Sequence, residues 1–123
     1  MAIRLSREQF EALVEKALDS LPDDFAALLD NVAVMVEEEP SAEDLAEVGM
    51  EADEADDLFG LYQGVNLLER TAEYSALPDR VTIFRGPILR ACGSRREVVR
   101  EVRDTVIHEL GHYFGMEEEQ MPY

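Results

Sequence analysis

The chain has 123 residues, of which 11 are basic and 28 acidic, for a formal charge of −17. That excess argues against binding a nucleic-acid backbone or an anionic membrane surface. One cysteine, Cys92, rules out an internal disulfide, and no stretch has the apolar length of a signal core or a membrane span, so a reducing, cytoplasmic location is expected.

The length and a hydrophobic share of 46% suit one core, so a single domain over 1–123 is expected. The first helix is well marked. Ser6 and Gln9 read as a capping box, and Leu5 with Phe10 as a hydrophobic staple. Phe10, Leu13, Val14, Ala17, Leu18 and Leu21 recur at helical spacing and form a core stripe. Pro22 suits the first position of a second helix, with Asp23 and Asp24 at its positive end and Phe25, Leu28 and Leu29 inward; it gives way near Asn31.

Val32 to Val36 is a β-branched run, read as a buried strand ended by Glu37 to Pro40. Residues 41–57 are acidic and poor in large apolar groups; Ser41 and Asp44 can cap a short helix, but a mobile surface segment is expected. Leu58 to Tyr62 is a second strand, closed by Gly64, and Leu67 to Tyr74 is ambiguous. After a turn at Pro78-Asp79, Arg80 to Arg85 is a third strand, with Val81 and Ile83 on one face and Thr82 and Phe84 on the other. Gly86-Pro87 breaks it, and Pro87 to Ala91 is read as a short helical turn. Ser94 and Glu97 form another capping box, so a long helix is expected from Arg95 to Phe114. Helices, then strands, then a long helix predict an α+β fold with a small mixed sheet of about three strands.

The last helix carries the chemistry. It holds His108-Glu109-x-x-His112, and these are the only two histidines of the chain. Residues four apart share one helical face, so two imidazoles so placed can reach one metal ion, and the donor type suits Zn²⁺. Glu109 projects beside such an ion and can take the proton of a zinc-bound water, whose pKa the metal lowers to about 7. Glu109 also falls inside the apolar arc of Val98, Val102, Val106 and Leu110, where an unpaired carboxylate is costly on a merely structural helix.

With no histidine left, the third ligand must be of another kind. Gly115 can end the helix and let the chain turn back, and Glu118 stands at the third-ligand offset of His-Glu-x-x-His-x-x-Gly-x-x-His. Glu117 and Glu119 are alternatives, and a solvated acidic tail is the plain reading of all three. Glu101, Asp104 and Thr105 stand one or two turns before His108 and can orient its second nitrogen. Tyr62 can donate a hydrogen bond to an oxyanion or simply pack in a strand. Arg70 and Arg80 can hold a substrate carboxylate, or pair with the abundant acids.

The chain resembles the small bacterial zincin-like metallopeptidases. The likeness runs through Phe10 to Pro22, Asn31 to Glu37, Gly60-Leu-Tyr-x-Gly64, Glu69-Arg70, Leu77 to Arg80, and Thr105 to His112 with Phe114-Gly115. It implies a minimal zincin, a few strands and helices around the motif helix. That family often has Asp where Glu118 stands, and no Met-containing turn can be assigned from Met116 and Met121. The expected function is peptide-bond hydrolysis by a zinc-activated water. Glu109 would be the general base and His108, His112 and Glu118 the ligands, with a peptide or protein as substrate. A zinc-binding module without turnover, acting through a protein partner, is the alternative.

Overall fold

The computed structural model describes residues 2–64 and 79–113, with the backbone alone at positions 31, 112 and 113. Helix α1 (Arg7–Asp19) starts at the expected capping box: Ser6 Oγ accepts from the Gln9 amide at 3.1 Å and Gln9 Oε1 from the Ser6 amide at 2.9 Å. Phe10, Leu13, Val14 and Ala17 are its buried stripe. Pro22 caps α2 (Asp23–Leu28), one position before the place expected for it, and a 3₁₀ turn over Leu29–Asn31 leads into the sheet.

Among the described residues the sheet has three strands, β1 (Val32–Glu37), β2 (Gly60–Gln63) and β3 (Asp79–Phe84), in the order β1-β3-β2. β1 runs parallel to β3, with Val34 opposite Val81, and β2 antiparallel to it, with Tyr62 opposite Val81. The sheet is therefore mixed, as expected of the α+β class. β3 is the central strand: Val81, Thr82, Ile83 and Phe84 are all buried. β1 corrects the reading of a buried strand. It lies at a sheet edge with one face on the core, where Val32, Val34 and Val36 pack, while Met35 is 44% exposed.

The acidic stretch expected to be mobile is instead built of regular structure. α3 (Ala42–Glu47) has a capping box between Ser41 and Asp44, and a 3₁₀ helix spans Ala52–Asp57. Gly49, at φ 74°, takes the left-handed turn that ends α3, where the Met50 amide donates to the Leu45 carbonyl. Leu45 and Leu58 anchor the segment, packing with Leu61 and Phe84 on one face of the sheet. Two apolar anchors suffice where the composition suggests too few.

β3 ends at Phe84, as Gly86-Pro87 leads one to expect, and that pair lies in the first turn of α4 (Arg85–Ala91), where a proline needs no amide partner. α5 (Arg95–Tyr113) completes the fold. The Glu97 amide donates to Ser94 Oγ at 3.1 Å, while Glu97 Oε2 accepts from the Gly93 amide and not from that of Ser94. Val98, Val102, Val106, Ile107 and Leu110 of α5 are fully buried with Phe10, Val81 and Ile83. α5 packs against α1, α2, α4, β2 and β3 and so is the axis of the main core. The ambiguous stretch at Leu67 to Tyr74, Arg70 and residues 114–123 lie outside the described residues.

Candidate metal centre

The second half of α5 lines a cleft of about 420 Å³ against the turn that enters β2. His108, Glu109, Asp104, Thr105 and Glu101 come from the helix, and Asp57, Leu58, Phe59 and Gly60 from the facing chain. The two elements approach closely because residue 60 is glycine. A Cβ there would lie 2.6 Å from Thr105 Cγ2 and 3.1 Å from the Thr82 carbonyl oxygen.

His108 Nδ1 sits 3.0 Å from the backbone carbonyl of Asp104, one turn earlier. A carbonyl can only accept, so this contact places a proton on Nδ1. In the neutral ring the lone pair then belongs to Nε2, as a metal ligand requires. The sequence pointed to Glu101, Asp104 or Thr105 as the orienting group; the Asp104 main chain makes this contact. No residue identity encodes a helical carbonyl, so only the i−4 geometry could have revealed it.

Glu109 is not an isolated charge in the apolar arc. Its Oε1 accepts a 3.0 Å hydrogen bond from the Tyr62 amide of β2, which helps to offset the cost of half-burying the carboxylate. Tyr62 thus reaches the site through its backbone, and its hydroxyl donates to Asp79 Oδ2 at 2.9 Å. Sequence reasoning singled out Tyr62 for its hydroxyl and missed this amide. The one signal for it was a glycine two positions earlier in a strand, the mark of a close approach. Arg80, the other candidate for a substrate carboxylate, donates from Nε to Gln63 Oε1 at 2.8 Å.

His112 follows His108 by one turn within α5, so the backbone places the two on the same helical face. Glu118, Glu117 and Glu119 lie outside the described residues, and among those described no three His, Cys, Asp or Glu side chains gather as a metal cluster. The donors that are present suit a divalent cation: an imidazole in the correct tautomer, a second histidine one turn on, and carboxylates around the cleft. Burial, with the neighbouring Asp104 carboxylate second, pushes the Glu101 carboxyl above its ordinary range, and Arg100 opposes this in part.

A search of solved structures finds a conserved hypothetical protein from Thermus thermophilus, 25% identical, with a TM-score of 0.58; the match covers 89% of this chain and 94% of that one. No curated protein matches significantly. The family model for zincin-like metallopeptidases matches residues 29–123, which include the sheet, the cleft and the whole of α5. By that match, and by the fold and histidine helix that accompany it, the chain belongs to the zincin-like metallopeptidase family.

Proposed function

We propose that the protein is a zinc-dependent peptidase that uses the cleft beside α5. The observation that carries this reading is the placement of Glu109: its carboxylate is tied to the Tyr62 amide and lines the same cleft as His108. His108, His112 and Glu118 would hold Zn²⁺, with Glu117 or Glu119 as substitutes for Glu118. When bound, the ion supplies Lewis acidity and makes a water acidic enough to ionise near neutral pH. Glu109 accepts that water's proton and later delivers it to the leaving amine. The Asp104 carbonyl holds the His108 ring in one tautomer throughout.

Glu109→Gln tests the reading. The amide keeps an oxygen for the Tyr62 N–H but cannot take a proton. The variant should keep its zinc content by elemental analysis and lose peptide cleavage by about 10²-fold or more. Unchanged cleavage would remove Glu109 from its role. A wild-type protein that holds zinc and cleaves nothing in a diverse peptide library would favour the module without turnover.

A further inference from the structure

On the side of α5 roughly opposite the cleft, a second groove of about 520 Å³ runs between α1 and α5. Its floor is apolar, formed by Leu13 and Val99, and its walls are Lys16, Arg95, Arg96 and Arg100. Arg103 also lines it and, among the described residues, alone of the five is ion-paired, its Nε 3.8 Å from Asp104 Oδ1. Five of the 11 basic side chains of a strongly acidic protein therefore face one groove, and among the described residues no acidic one lines it.

This concentration is selective. Arg7, Arg85 and Arg90 are spent on internal pairs, with Glu38, with Glu38, and with Glu39 and Asp56. Among the described residues, Lys16, Arg95, Arg96 and Arg100 make no hydrogen bond or ion pair through their side chains. Arg96, Arg100 and Arg103 recur at i, i+4 and i+7, so the helix presents them as one stripe. Like charges held side by side repel, and a ligand carrying the opposite charge relieves that repulsion.

We propose that this groove is a docking site for an acidic peptide segment of another protein, one that interleaves Asp or Glu with leucine-like side chains. The carboxylates would pair with the arginines, and the apolar side chains would cover Leu13 and Val99. An extended nucleic acid fits less well. It carries one charge per ~1.7 Å of duplex. Beyond the groove, that charge meets the field of a chain at −17. A short acidic segment confines its charge to the groove itself, within a Debye length of about 8 Å of the arginines.

The test is fluorescence anisotropy of the full chain with a short labelled peptide of Asp, Glu and Leu, in parallel with a labelled oligothymidylate. The peptide should bind, and more weakly as salt rises. Arg96→Gln with Arg100→Gln should raise its Kd about tenfold or more. Arg80→Glu makes the same change in net charge on the sheet, whose β2 meets α5 at Thr105 and Glu109 on the face opposite the groove, and should raise it less than about twofold. In the wild type, saturating peptide should shift the methyl NMR signals of Leu13 and Val99, a readout independent of how any variant folds. The proposal fails if the wild type does not bind the peptide, if the two variants weaken it equally, if those methyl signals stay put, or if the oligonucleotide binds more tightly through the same arginines.

Discussion

Glu109 shows what a single residue discloses in sequence and what it does not. Its place in an apolar arc marks it as a carboxylate that must have a reason to be there, and the reason is an amide 47 residues away. That His108, Glu109 and His112 share one helix was legible because helical spacing converts sequence distance directly into geometry. The Tyr62 amide and the Asp104 carbonyl were not, because main-chain groups carry no identity.

Two residues give predictions of their own. A carboxyl whose folded pKa is raised holds its proton more tightly in the folded chain. Its share of stability is therefore full below the ordinary 4.5 and is lost as pH rises through that value toward the raised one. Glu101→Gln removes the loss. In chelator-treated protein the variant should melt higher than the wild type at about pH 7, and the difference should close near about pH 4. Cys92 is buried, and burial first, then Glu101 and Glu97, push its thiol up to about 11. At neutral pH it should react slowly with a disulfide reagent in the folded protein and release one equivalent rapidly in denaturant. Rapid labelling of the native chain would contradict this burial.

Among elements, those with local signals were legible to within a residue or two. α1, α5 and β3 announce themselves through capping boxes, helical stripes or alternation. Elements set by distant contacts were not. β1 reads as buried by composition, yet β3 is the strand paired on both sides, and its second face is closed at Phe84 by the segment that carries Leu45 and Leu58. That segment was itself obscured by its acidity. The junction of β2 with α5 offers a test at this scale. Gly60→Ala should cost about 1–3 kcal/mol in denaturant unfolding, since its methyl would overlap Thr105 Cγ2. It should also loosen the Tyr62–Glu109 hydrogen bond. Thr105→Ser removes that methyl and keeps the hydroxyl, so the double variant should recover part of the loss; full additivity of the two changes would place the strain elsewhere.

At the scale of the molecule, the proposed ion ties folding to the candidate site. A ligand held only by the folded chain adds about 2.7 kcal/mol at a hundred times its Kd. Zinc should therefore raise the melting temperature of chelator-treated protein, and His108→Ala should abolish the rise. An equal rise in both proteins would locate the ion away from α5. The family match over residues 29–123 leaves α1 and α2 outside it, although both pack on α5. The basic groove draws Leu13 and Lys16 from α1 and its remaining walls from α5.

The strand order has a consequence for how the protein is made. The middle strand, β3, is the last of the three to leave the ribosome, and both of its neighbours precede it. A nascent chain halted at Gly64 owns two outer strands with nothing to lie between them, and an α1 whose partner helix has not been synthesised. Such a fragment lacks the strand with which both of its own pair, so the sheet must wait until β3 and α5 have emerged.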